Sequence, residues 1–135
     1  MWFKNLAIYR LTEAFTLTPT ELEEKLHSLR FKPCSPTEVF SYGWTSPLGR
    51  NSEQLIHQAN GFMMLCATKE EKVLPTSVIN EMTADKISEK EDQETRKLTK
   101  KERSELKDQI IFELLPRAFS FSKRTFAYID PKGGW

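Results

Sequence analysis

Residues 96–124 read RKLTKKERSELKDQIIFELLPRAFSFSKR, and this stretch decides how the second half of the chain folds. Thr99-Lys100-Lys101-Glu102 is a capping box, which predicts that a helix begins there. The apolar residues that follow at helical spacing are Leu106, Ile110 and Leu114. Pro116 has no backbone N–H, so it is expected to bend or end the helix. A strand is then predicted over 121–129.

The first half of the chain predicts two kinds of element. Residues 2–11, WFKNLAIYRL, are rich in aromatic and aliphatic side chains and predict a strand. Thr18-Pro19-Thr20-Glu21 is a second capping box, so a helix is predicted over 19–30. Asn60-Gly61 suits a type I′ turn, which predicts a β-hairpin within 54–69.

Prolines and glycines interrupt residues 33–50, which predict an ordered loop and not a regular element. The aromatic residues of this loop are Phe40, Tyr42 and Trp44. Such residues either plug the edge of a core or stack on the bases of a single strand, and both readings stay open here.

Together these elements predict an α+β fold. Its antiparallel sheet consists of the N-terminal strand plus the hairpin, accompanied by an N-terminal helix and a helical pair. We expect a sheet-rich part over 1–75 and a helical part over 76–117, in which Thr76 caps the first helix. A strand over 118–135 is then expected to return to the sheet. Residues 130–134, DPKGG, are typical of a turn, but only Trp135 follows, so we expect a chain that is cut short.

Composition indicates one soluble domain. The 135 residues are 29% charged and 39% hydrophobic, which is ordinary for a globular protein. The longest apolar run, 62–67, is too short to cross a bilayer, so no membrane partner is expected. The N-terminus has no features of a signal peptide, so Cys34 and Cys66 are expected to be reduced thiols of a cytoplasmic protein.

Catalytic chemistry is poorly supported. His27 and His57 have no acid or cysteine at ligand spacing, so both are expected to be structural. The five glycines are scattered and form no phosphate-binding loop. The acids lie mostly among lysines on a predicted helix surface, whereas a two-metal nuclease needs clustered carboxylates. We therefore expect no enzyme, no cofactor and no metal site, with a nuclease kept as a remote alternative.

Charge is segregated along the chain, although the net charge is only +1. Residues 81–94 carry six acids against two lysines, and residues 96–107 carry six bases against two acids. One reading is a pair of neighbouring helices whose opposite charges partly pair. The other is a basic face that stays free for phosphates while the acidic half limits non-specific binding elsewhere. Charge alone leaves both open.

Cations lie at both ends of the helix predicted to begin at Thr99. The bases near its start are Arg96, Lys97, Lys100, Lys101 and Arg103. The bases beyond its end are Arg117, Lys123 and Arg124. Backbone N–H groups at a helix start favour phosphate. These eight residues are the candidate DNA contacts, and phosphate contacts give affinity without sequence preference.

Phe119 follows the corner formed by Pro116, Arg117 and Ala118. It either caps Leu115 and Phe121 within the fold, or projects as a hydrophobic finger that docks into a partner. The residues alone support either reading.

Several stretches resemble the N-terminal part of the RdgC family of bacterial recombination-associated proteins. They are WFKNLAIYRL, FKPC, GWTSPLG, ANG, KEEKVLPTSVI and LKDQIIFELLPRAFSFS, in that order along the chain. The resemblance implies an α+β fold, a ring-shaped homodimer that encircles duplex DNA without sequence preference, restraint of a RecA-type recombinase, and association with the nucleoid. It also implies that Arg96 and Arg117 are DNA-facing or interface cations and that Phe119 closes the ring. Family members are more than twice as long.

The first functional hypothesis is therefore non-specific binding of double-stranded DNA. The alternative is a dimerisation remnant that associates through Phe119 and binds DNA weakly or not at all.

Overall fold

The computed structural model describes residues 3–135 and confirms an α+β fold with an antiparallel sheet. Within those residues there are three α-helices, a short 3-10 helix and four strands. In chain order they are α1 (Pro19–His27), β1 (Phe40–Thr45), β2 (Ile56–Ala59), β3 (Phe62–Lys72), α2 (Thr76–Glu94), α3 (Lys100–Leu114), the 3-10 helix Leu115–Arg117, and β4 (Ser120–Ile129). No helix in this part of the chain is both long and apolar enough to cross a membrane.

Strand β3 is the centre of the sheet, because β1, β2 and β4 all pair with it. Strands β2 and β3 form the predicted antiparallel hairpin, in which Ala59 lies opposite Phe62. Asn60 and Gly61 have φ angles of 52° and 82°. Both values are in the left-handed region that a type I′ turn requires, so the predicted hairpin is confirmed.

Both predicted capping boxes are present. The N–H of Glu21 donates to Oγ1 of Thr18 at 3.2 Å, and the N–H of Thr18 donates to the Glu21 carboxylate at 2.8 Å. The same reciprocal pair of hydrogen bonds joins Thr99 and Glu102 at the start of α3. Helix α3 ends just ahead of Pro116, as its missing N–H predicts.

Helix α2 begins differently from the prediction. Thr76 is already helical, and the N-cap is Pro75, which makes no side-chain hydrogen bond. Pro75 has φ −59° and ψ 126°. This is the non-helical conformation that a cap residue needs, so Thr76 falls inside the helix and the prediction that it acts as the cap is wrong.

Two compact units make up the chain, and each has its own buried residues. The first unit consists of residues 3–32, Tyr42–Lys69 and Lys123–Trp135. Its core contains Leu22, Leu26, Leu55, Ile56, Met63 and Leu65, against which Phe15, Leu17, Trp44 and Ile129 pack. The second unit consists of Pro33–Ser41 and Glu70–Ser122. Its buried residues include Ile79, Thr83, Leu98, Ile110 and Leu115.

The strand predicted over 2–11 is not formed by residues 3–11, and Trp2 lies outside the described residues. Among residues 3–11, only Leu11 makes a backbone–backbone hydrogen bond, from its N–H to the carbonyl oxygen of Gly134 at 2.8 Å. A strand needs a neighbour to pair with its backbone groups, and no described strand pairs with this segment. The apolar pattern is therefore present without the strand.

The loop predicted over 33–50 contains strand β1, so this prediction is wrong in part. Gly43 does not interrupt β1; it is the position at which β1 packs closely against the backbone of Phe31. A Cβ atom added at Gly43 would collide with the Cα atom of Phe31. The N–H of Phe31 donates to the carbonyl oxygen of Trp44 at 2.9 Å, which holds the two segments together.

The aromatic residues of β1 have different environments. Trp44 is partly buried and packs against the core of the first unit, as the plugging interpretation expects. Phe40 and Tyr42 are exposed, with relative accessibilities of 55% and 63%. The interpretation in which these aromatic residues fill the edge of a core therefore holds for Trp44 but not for Phe40 or Tyr42.

We expect Gly43→Ala to destabilise the protein strongly, because the new methyl group meets backbone atoms that cannot rotate away. Overpacking of this kind typically costs about 1–3 kcal/mol and sometimes more. Urea unfolding measures the loss. Gly49→Ala is the comparison, since a Cβ there meets nothing within 4 Å and only its φ of 111° opposes the change. A Gly43→Ala protein as stable as Gly49→Ala would contradict the packing argument.

Candidate nucleic-acid interface

The candidate interface begins where α2 turns into α3, and its cations are held by carboxylates. Arg96 forms a forked pair with Glu102, with nitrogen–oxygen distances of 2.5 and 3.0 Å. It also contacts Glu94 at 2.8 Å. Hydrogen bonds from Arg96 and then from the Thr99 backbone lower the pKa of Glu102 to about 2. Glu102 thus serves both the capping box and the pair with Arg96.

Glu91, in the last turn of α2, is the second carboxylate of this turn. It accepts the N–H of Leu98 at 2.9 Å, Nζ of Lys97 at 3.2 Å and the guanidinium of Arg103 at 3.2 Å. The backbone hydrogen bond from Leu98 is the main reason that the pKa of Glu91 is lowered. Only 12% of its side chain is exposed, so Glu91 joins both helices and the turn between them.

Thr95 lets the chain reverse direction at this point. It ends α2 in the left-handed conformation, with φ 53°, and its N–H donates to the carbonyl oxygen of Glu91. The N–H of Arg96 donates to the same oxygen at 3.3 Å. These bonds satisfy the end of α2 and bring the following cations back toward its acids.

Of the five cations predicted at the start of α3, three are therefore paired with acids: Arg96, Lys97 and Arg103. Lys101 contacts Glu105 only loosely, at 3.9 Å, and 86% of its side chain is exposed. Within residues 3–135, Lys100 has no ion pair and is exposed. The neighbouring opposite charges thus partly pair, and Lys100 and Lys101 are the two cations here that make no close contact with a described carboxylate.

The three other predicted cations belong to other elements of the chain. Arg117 ends the 3-10 helix at the opposite end of α3 and is exposed. Lys123 and Arg124 belong to the first unit, on β4. Arg124 donates to the carbonyl oxygen of Ser46 at 2.5 Å and lies 5.2 Å from the ring centre of Phe126, so its guanidinium is used within the fold.

Phe119 is the most exposed large apolar side chain among the described residues, at 87%. Of the two readings of Phe119, the cap over Leu115 and Phe121 does not fit this exposure, since a ring packed on those side chains would lose much of its contact with solvent. The chain is extended here, because Ala118 has φ −70° and ψ 137° and the carbonyl oxygen of Phe119 accepts the N–H of Val73 at 2.7 Å. The backbone is thus fixed while the ring faces solvent.

Sequence reasoning missed the role of Glu91, because twelve residues separate it from Arg103. A groove of about 280 Å³ between α2 and α3 was also missed. Its lining includes the apolar side chains of Leu106 and Ile110 and the lysines Lys86 and Lys90.

Residues 3–135 contain no group of three His, Cys, Asp or Glu side chains that could hold a metal ion. Both cysteines are free, with Cys66 buried and Cys34 half-buried. Desolvation by burial is the main cause of the raised pKa of the Cys34 thiol. The Sγ of Cys34 lies 3.5 Å from the carbonyl oxygen of Glu70, which accounts for its position.

Comparison with known proteins identifies the family. The family model described as "Putative exonuclease, RdgC" matches residues 1–135. The chain therefore belongs to the RdgC family. The recombination-associated protein RdgC of Tolumonas auensis is 50% identical over 131 residues, which are 97% of this chain and 43% of that protein. The RdgC proteins of Aeromonas hydrophila (97% of this chain, 43% of that protein) and Proteus mirabilis (96% and 43%) are 47% and 45% identical.

This RdgC-family chain thus spans about 43% of the length of the curated relatives that it matches. The two kinds of name also differ in what they say. The family description contains the word exonuclease, whereas these relatives are named for recombination.

The lowered pKa of Glu102 allows a prediction of how the stability of the protein depends on pH. Its pKa in the folded state, about 2, is below the ordinary value of 4.5. Its contribution to stability is therefore present above pH 4.5 and is lost as the pH falls toward 2. Urea unfolding between pH 7 and pH 2 should show that the free energy of unfolding falls less for Glu102→Gln than for the parent protein. Glu105→Gln, which removes a loosely paired acid of the same helix, should leave the parent profile unchanged. Equal profiles for all three would contradict the role given to Glu102.

Proposed function

We propose that this chain binds double-stranded DNA without sequence specificity. The observation that carries the proposal is the first turn of α3, where Lys97, Lys100 and Lys101 surround a helix start. The side chains of Lys97 and Lys101 are 87% and 86% exposed. A helix start with exposed ammonium groups favours phosphate oxygens. Contacts with phosphates alone carry no base information, which is why we propose binding to any duplex sequence.

The carboxylates of the turn support this proposal by fixing the backbone from which the lysines project. Glu91 and Glu102 hold the turn through hydrogen bonds to the backbone N–H groups of Leu98 and Thr99. They also offset the charge of Arg96 and Arg103. The remaining positive charge is small, so we expect modest affinity. Because the contacts are with phosphates, this affinity should fall as the salt concentration rises.

The family relationship supports a role in recombination, since the curated relatives are named recombination-associated proteins. We propose that a ring-shaped homodimer containing this chain restrains a RecA-type recombinase by occupying duplex DNA. In this proposal the protein is cytoplasmic, associates with the nucleoid, and acts as a binding protein without enzymatic activity. Arg117 and Lys123 are proposed as further DNA contacts; Arg124 acts within the fold.

Affinity for unrelated duplexes should be similar and should fall steeply as salt increases. Each phosphate contact contributes a slope of about 0.9 in log affinity against log salt. Lys100→Ala combined with Lys101→Ala should therefore lower the slope by about 1.8. Fluorescence anisotropy with two labelled duplexes of different sequence measures both quantities.

The matched control removes two cations from α2, through Lys86→Ala and Lys90→Ala. This variant changes the net charge equally but leaves the start of α3 intact, so its slope should stay close to the parent value. Equal slope changes in both variants would indicate a net-charge effect and contradict the proposed contact. Shortening of the labelled duplex in the presence of magnesium or manganese would contradict the proposal of a protein without enzymatic activity.

A second candidate function is self-association without strong DNA binding, and the exposure of Phe119 favours it. An aromatic ring that is 87% exposed on a fixed backbone is suited to fill a pocket of a partner molecule. In this alternative the chain is a dimerisation module. Sedimentation with and without duplex separates the two functions, since a dimer that ignores DNA favours the second.

Phe119→Ala should weaken self-association and leave the fold intact, because the ring contributes little to the monomer core. Loss of an interface anchor costs about 2–4 kcal/mol, which corresponds to roughly a thirty- to thousandfold rise in the dimer Kd. Analytical ultracentrifugation and thermal melting measure the two effects. Phe112→Ala is the control, since that ring is also exposed, at 62%, on the neighbouring α3. A marked drop in Tm with unchanged self-association would refute the docking role.

A further inference from the structure

The N-terminal segment, residues 3–11, has the composition of a strand but no strand partner among the described residues. From Phe3 to Arg10, no backbone N–H or C=O group is hydrogen-bonded to another described backbone group. Three of its central side chains are largely exposed: Leu6 at 66%, Ile8 at 68% and Tyr9 at 78%. An apolar segment with open backbone groups can be completed by an added strand.

Both ends of this segment are attached to the end of the chain, within the first unit. The ring of Phe3 makes an edge-to-face contact with Tyr128, with ring centres 5.5 Å apart. The guanidinium of Arg10 lies 4.3 Å from the ring centre of Trp135. The N–H of Leu11 donates to Gly134 at 2.8 Å. The segment is thus anchored at both ends, while the side chains between these anchors remain exposed to solvent.

We propose that the N-terminal segment is the docking edge for a strand supplied by the C-terminal part of a longer RdgC-family chain. Residues 6–10 would pair their backbone groups with that strand, and Leu6 and Ile8 would be buried by it. The proposal concerns assembly of the family fold and does not depend on DNA binding.

The comparison with relatives is the first reason to choose this occupant. The aligned residues cover 97% of this chain but only 43% of the Aeromonas hydrophila relative. More than half of that relative therefore consists of chain that could supply the missing strand. Its 47% identity over 131 residues makes this relative a suitable protein in which to look for such a strand.

Charge argues against the other obvious occupant, a second copy of the same segment. Residues 3–11 contain two cations, Lys4 and Arg10, and no acid. Two copies paired antiparallel about Ala7 would place Lys4 opposite Arg10, and like charges directly opposite are destabilising. A strand of different sequence that carries an acid avoids this repulsion.

Hydrogen exchange tests the proposal by comparing this chain with a full-length relative. The amides of residues 6–10 should exchange almost freely in this protein. The aligned segment of the full-length Aeromonas hydrophila relative should exchange at least a hundredfold more slowly, because its N–H groups are then paired. Equal exchange in the two proteins would overturn the proposal.

A chimera supplies the mutational test, with this chain replacing the aligned part of the Aeromonas hydrophila protein. Ile8→Lys should lower the Tm of the chimera clearly and leave the Tm of the chain alone unchanged. Leu29→Lys is the control, because Leu29 is similarly exposed at 64% but lies outside the segment. Equal effects of both substitutions in the chimera would overturn the proposal. So would self-association of the chain alone that Ile8→Lys abolishes, since the occupant would then be a second copy. If the chimera does not fold, the exchange comparison decides alone.

Discussion

Strand β3 is the constraint on which the sheet depends, because each of the other three strands pairs with it. Its eleven residues include a consecutive buried run from Leu65 to Thr68. Burial on both faces is what a central strand requires, and it explains why this stretch is apolar without regular alternation. Oγ1 of the buried Thr68 on β3 is hydrogen-bonded to Oγ1 of Thr45 on β1 at 2.8 Å. The remaining strands contribute less burial and are held mainly through this one.

The turn between α2 and α3 shows how the protein uses its segregated charge. The acidic half of the sequence is not a separate surface that merely repels other molecules. Glu91 and Glu102 are hydrogen-bonded to backbone N–H groups, so each stabilises the turn and pairs a cation at once. The same carboxylates that hold the turn therefore also limit how many cations are available to a phosphate backbone. Phosphate affinity and turn stability are linked through these two side chains.

Sequence reasoning was most successful where the signal is local. The capping boxes at Thr18 and Thr99, the Asn60-Gly61 turn and the stop at Pro116 each depend on neighbouring residues, and all four are confirmed. It failed where distant chain decides the outcome. Strand β1 was missed because Gly43 is needed there for its close approach to the backbone of Phe31, and no pattern among neighbouring residues indicates that contact.

The candidate site follows the same rule. Clustering of Lys100 and Lys101 at a helix start is a local property and was predicted. The pairing of Arg103 with Glu91, and of Arg124 with Ser46, depends on how the chain returns on itself. The charge pattern therefore indicates which cationic residues could contact phosphates. It does not indicate which of them already make hydrogen bonds or ion pairs within the protein.

The contact between Arg124 and Ser46 also bears on the order of folding. The two residues are 78 positions apart in the sequence. Closing so large a loop costs more conformational entropy than forming the hairpin of β2 and β3 or the pair of α2 and α3. Local elements are thus expected to form early, while β4 joins β3 late. During synthesis β4 is also made after the other three strands of this sheet, so β3 lacks this partner until then.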